Sequence, residues 1–72
     1  MKLKTLLTTM RDCDSSIKIH KGKENIKQYF SFEYEVMKDE ILKDFTGNEL
    51  ILGLEIINFY ENSTLHIYLK KD

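Results

Sequence analysis

Two histidines, His20 and His66, and two glutamates, Glu33 and Glu55, lie in segments where polar and apolar residues alternate. Imidazole nitrogen and carboxylate oxygen are the donors of a zinc-type site, so these side chains offer ligands if their strands are neighbours. No local ligand spacing ties them together. Surface histidines with no metal are therefore the expectation. Glu33 and Glu35, two apart, offer a carboxylate pair of the kind used in acid–base catalysis, but nothing around them suggests a cleft or a raised pKa. Asp12, Asp14 and Ser15 resemble half of a calcium loop, without the glycine and distal glutamate that such a loop needs. Cys13, the single cysteine, sits between Asp12 and Asp14, whose charges disfavour a thiolate; an inert side chain at a helix end is expected. No catalytic, metal or nucleotide motif emerges, and the chain is expected to be no enzyme and to need no cofactor.

The basic residues suggest a different chemistry. Lys18, Lys21, Lys23 and Lys27 cluster with His20, and Tyr29 nearby can stack a base. Against this, residues 1–28 carry seven basic and three acidic residues, whereas residues 29–72 carry four basic and nine acidic. That acidic half opposes general attraction to phosphate. Arg11 is the only arginine, the residue best suited to bidentate phosphate and base contacts. Nucleic-acid binding through the Lys18–Lys27 hairpin is thus the alternative function. The opposite charges of the two halves can also steer a partner, although an ordinary mixed surface is the plainer outcome.

The elements that must position these residues follow from periodicity. A chain of 72 residues makes one domain, 1–72, near the size at which a single core only just offsets conformational entropy. Leu3, Leu6, Leu7 and Met10 fall on one face of a first helix ending near residues 11–13. Asp14, Ser15 and Ser16 then read as a turn. Ile17-Lys18-Ile19-His20 alternates as a strand with the isoleucines inward, and Gly22 centres a turn needing positive φ. From Gln28 a second strand is expected, with Phe30, Phe32, Tyr34 and Val36 on one face and Ser31, Glu33 and Glu35 on the other. Met37, Ile41, Leu42 and Phe45 share one side of a second helix, with Gly47 as a left-handed cap. A terminal hairpin completes the order α-β-β-α-β-β. The expected fold is α+β: an antiparallel sheet of about four strands with the helices on one face.

That hairpin, residues 50–69, carries the strongest signal, because its first run is apolar on both faces. A two-residue turn at Asn62-Ser63 would place Leu54 and Ile56 with Leu65, Ile67 and Leu69, leaving Ile57, Phe59 and Tyr68 outside. A three-residue turn at Asn62–Thr64 would leave Leu52, Leu54, Ile56, Tyr60 and Tyr68 outside. A bulge at Ile56-Ile57 would reduce the surplus. Otherwise Leu54, Ile56, Ile57, Phe59 and Tyr68 form a patch that a host protein or a second copy of the chain covers, and a homodimer is expected.

Met1-Lys2-Leu3-Lys4-Thr5-Leu6-Leu7 opens like a signal peptide, but Thr8, Thr9 and Arg11 interrupt it. No run approaches the roughly twenty apolar residues of a membrane span, and a lone cysteine suits a reducing compartment; a cytoplasmic location is expected. The leucine helix opening at Met1–Leu7, the Asp/Ser turn, the strand and the closing Leu-Glu-Ile-Ile and Glu-Asn-Ser-Thr-Leu-His-Ile-Tyr-Leu hairpin resemble small accessory proteins of phages, plasmids and transposons of low-GC Gram-positive bacteria. The resemblance spans most of the chain and rests on structural motifs. It implies function by binding, with anti-defence inhibition of the anti-CRISPR kind as one outlet.

Overall fold

The computed structural model describes residues 1–10, 15–60 and 62–71, apart from the side chain of Phe59. Expectations for Arg11, Asp12, Cys13, Asp14 and Glu61 lie outside the described residues. The order is α1 (Leu3–Thr9), β1 (Ser16–Lys21), β2 (Asn25–Tyr29), α2 (Tyr34–Asp44), β3 (Ile51–Phe59) and β4 (Asn62–Leu69). This is the expected α+β succession of helix, two strands, helix, two strands. In α1 the predicted stripe faces the core: Leu3 and Leu7 are fully buried, and Leu6 and Met10 pack beside them.

The sheet is mixed rather than antiparallel throughout. Its strands lie in the order β2-β1-β4-β3, and the two central strands, β1 and β4, run parallel. The reason lies in the crossover. Helix α2 carries the chain from β2 at one edge to β3 at the other, and a strand-helix-strand connection leaves its two strands pointing the same way. Since β1 is antiparallel to β2 and β4 to β3, β1 and β4 must then be parallel to each other. Both helices bury their apolar stripes on the sheet face that carries Ile17, Ile19, Tyr29, Leu65, Ile67 and Leu69. No helix of the described residues lies on the opposite face.

The second strand is shorter than expected, and the second helix starts earlier. Strand β2 ends at Tyr29, opposite Ile17, one residue short of the start of β1 at Ser16. Tyr34, Met37 and Ile41 repeat at helical spacing and are all buried. Glu35 in the first turn and Lys43 in the last complement the helix dipole. Helix packing therefore overrides the alternation of Phe30, Phe32, Tyr34 and Val36. Phe30 and Phe32 end in a solvent-exposed loop, edge to face with ring centroids 5.7 Å apart. Glu33 and Glu35 lie at the start of α2, where Glu35 pairs with Lys38 at 2.8 Å, so they share no strand face.

The loop from α2 to β3 is organised by a buried carboxylate. Glu49 accepts hydrogen bonds from the Thr46 amide (3.0 Å), the Thr46 hydroxyl (3.1 Å) and the Gly47 amide (2.8 Å), and Lys21 Nζ lies 3.9 Å away. Burial alone would raise the pKa of Glu49, but these donors outweigh it and hold the carboxyl below its usual range. Gly47 takes the expected left-handed conformation, φ 88°, and does so within this loop, while Phe45 closes the helix in an extended conformation.

Candidate functional site

Strand β3 has only one neighbour, β4, and so forms an edge of the sheet. Its register differs from both expected ones. Phe59 pairs with Asn62, Ile56 with Leu65 and Leu54 with Ile67, so the chain reverses between Phe59 and Asn62, with Tyr60 at φ 57°. Residues Asn62 to Thr64 look like turn formers but belong to β4. The last two reach across to the segment at β1: the hydroxyls of Ser15 and Ser63 hydrogen-bond, and Ser16 and Thr64 do so at 3.0 Å. The faces nevertheless match the first expectation, because the register differs by an even number of residues and the side-chain period is two. Leu54 and Ile56 share the helix side with Leu65 and Ile67, while Ile57 shares the open side with Tyr68.

The bulge lies at Leu52, between the pairs Ile51–Leu69 and Gly53–Tyr68, and not at Ile56-Ile57. It turns Leu52 out without hiding the isoleucines. Leu54 and Ile56 are 50% and 64% exposed although they sit on the helix side, since the helical layer does not extend over β3. Ile57 on the open side is 44% exposed and Leu52 69%. The start of the edge is occupied: Lys2 bridges to Leu50, and the Ile51 amide donates to the Met1 carbonyl at 2.9 Å. From Leu52 to Phe59 no strand of the described residues pairs with the outer side of β3.

Edge strands of soluble proteins are ordinarily short, charged, kinked or proline-bearing, which stops them from templating another strand. This one has nine residues, no proline, and Glu55 as its one charged residue. The apolar side chains flank backbone donors and acceptors that are available for pairing.

The open sheet face carries a second set of side chains in cross-strand rows. One row runs Ile26, His20, Tyr68, Gly53, and the next Gln28, Lys18, His66, Glu55. His20 Nε2 and His66 Nδ1 are 2.9 Å apart, and the rings of His20 and Tyr68 stack with centroids at 4.6 Å. Burial, followed by the neighbouring His66 and Lys18, lowers the pKa of His20 below 6.5. Beside the stack lies a shallow cleft of about 410 Å³ formed by Ile26, Leu52 and Tyr68 with the Gly22-Lys23 turn. The two histidines and Glu55 thus come onto one face, as a metal site would require, while Glu33 stands apart at the start of α2. No group of three metal-ligating side chains converges among the described residues.

The four lysines do not share a surface. Lys18 lies on the open face and Lys23 in the turn, whereas Lys21 faces Glu49 and Lys27 faces Asp44 at 3.7 Å. Tyr29 is buried and donates to Asp44 at 2.6 Å, so it is no stacking platform. The stacked rings on the open face are those of His20 and Tyr68. Their proximity was hidden in the sequence because it depends on β1 and β4 being neighbours. Among the described residues no helix is long and apolar enough to cross a membrane. Comparison with protein-family models, with curated proteins and with solved structures finds no match to this chain.

Proposed function

We propose that this chain is a non-catalytic binding protein that engages another polypeptide by strand addition at the edge of β3. The observation that carries this reading is the exposure of Leu52, Leu54, Ile56 and Ile57 along an edge with which no strand of the described residues pairs from Leu52 to Phe59. Main-chain pairing supplies affinity in this recognition mode, and alternate side chains supply specificity. The resemblance to accessory proteins of mobile elements extends the reading to a host protein as target, with inhibition of a defence nuclease as one outcome. The test is capture from the source cells by the wild-type chain and by a Leu54→Lys/Ile56→Lys variant. Both positions are exposed, so the variant keeps its fold by circular dichroism and loses the captured protein. Equal capture by both chains would sink the proposal.

A second reading rests on the open face, where the stacked His20 and Tyr68 lie near Lys18 and Lys23. Such a surface suits a single-stranded nucleic acid, with bases on the rings and phosphates on the lysines. It predicts salt-dependent binding of single-stranded RNA or DNA that Lys18→Glu/Lys23→Glu abolishes. No binding at low salt would remove it.

A further inference from the structure

Resting on the reading of β3 as the binding edge, we infer that the strand added there is β3 of a second copy, paired antiparallel about a two-fold axis at Ile56. The two four-stranded sheets would join into one continuous sheet with all helices on the same side.

The register follows from symmetry, charge and the bulge. A two-fold axis perpendicular to the sheet keeps each face on its own side, so residues of one face pair only with residues of the same face. The axis must then pass through a residue. Two placements make the longest ladder on the free edge from Leu52 to Phe59: Glu55 or Ile56. An axis at Glu55 sets two carboxylates directly opposite each other, which is destabilising, and draws the bulged Leu52 into the ladder. An axis at Ile56 uses residues 53–59, the stretch of β3 that pairs regularly with β4. It sets Ile56 on Ile56, Leu54 on Asn58 and Glu55 on Ile57. The single charge of the strand then has an apolar partner and no like charge opposite. The pairing also gives Leu54 and Ile56 the cover that the helices do not provide. The N-terminal residues Met1 and Lys2, already paired at Leu50 and Ile51, lie outside this stretch.

The experiment uses single cysteines in the full chain with Cys13→Ser, which leaves one thiol at the chosen position. Opposed residues on an antiparallel pair have Cα atoms about 4.5–5.5 Å apart, within the span of a disulfide. Ile56→Cys should therefore oxidise readily to a covalent dimer. Position 54 meets position 58, so two copies of residue 54 stand four residues apart along the strand, roughly 13 Å, and Leu54→Cys should not cross-link. Sedimentation of the unsubstituted protein should show a concentration-dependent species of twice 8.6 kDa, lost in Ile56→Lys. A monomer at every concentration, or cross-linking fastest at position 54 or 55, would overturn the inference. Loss of the dimer with capture of another protein still abolished by Leu54→Lys/Ile56→Lys would overturn self-pairing and leave the β3 edge as the binding site.

Discussion

His20 Nε2 and His66 Nδ1 lie 2.9 Å apart across the two parallel central strands, with the Tyr68 ring stacked on His20. One imidazole must donate and the other accept, so the contact needs at least one neutral ring. The folded protein holds the pKa of His20 below 6.5, the value it regains on unfolding. The unfolded chain therefore binds more protons as pH falls, and the associated stability, present above pH 6.5, is lost as pH drops through the folded pKa. Thermal melts as a function of pH should show this loss. His20→Phe, which keeps a ring on Tyr68 but does not titrate, should flatten the slope in that window; an unchanged slope would assign it to other groups.

Glu49 should behave as a structural carboxylate. Glu49→Gln keeps the size but loses the charge that gathers the Thr46 and Gly47 donors, and should destabilise by about 2 kcal/mol in urea titration. The sign with pH follows from its lowered pKa. The contribution of Glu49 is complete above its unfolded value of 4.5 and disappears as pH falls through the folded one. The difference between wild type and Glu49→Gln should therefore shrink in acid.

Two glycines should respond differently. At Gly47, φ is 88° and an added Cβ would lie 3.0 Å from Lys4 Cβ, so Gly47→Ala should destabilise by about 1–2 kcal/mol. At Gly53 an added Cβ meets nothing within 4 Å, so Gly53→Ala should change stability by less than about 0.5 kcal/mol. Denaturant midpoints of the pair test both statements.

Phe32 is 97% exposed and Met37 is fully buried, although a strand reading of the same segment would value the phenylalanine. Phe32→Ser should leave stability within about 0.5 kcal/mol of wild type, whereas Met37→Ala should cost about 2–5 kcal/mol. A large loss at Phe32 would mean that this loop packs in solution.

Tyr34 donates from its hydroxyl to the Leu7 carbonyl at 2.5 Å, tying α2 to α1 in a buried contact. Tyr34→Phe leaves that carbonyl without this donor and should destabilise by about 1–2 kcal/mol, measured in the same titrations.

How much of this was legible in the chain depends on the range of the interaction. The α1 stripe at Leu3, Leu6, Leu7 and Met10, the inward isoleucines of β1 and the positive φ at Gly22 and Gly47 are local consequences of spacing and residue type. Surplus apolar character at Leu54, Ile56 and Ile57 was also legible, because neither parity of that strand is polar. Tertiary structure decided the rest. Tyr34 joined a helix, where it is buried with Met37 and Ile41. Asn62, Ser63 and Thr64 became strand by pairing with Phe59, Asn58 and Ile57 of β3, and the Ser63 and Thr64 hydroxyls found partners in Ser15 and Ser16. The parallel pairing of β1 with β4 brought His20 to His66 and Tyr68. Composition and periodicity determined the α1 stripe, the inward isoleucines of β1 and the apolar surplus of β3; the order of strands, set by the α2 crossover, decided which of the remaining side chains met.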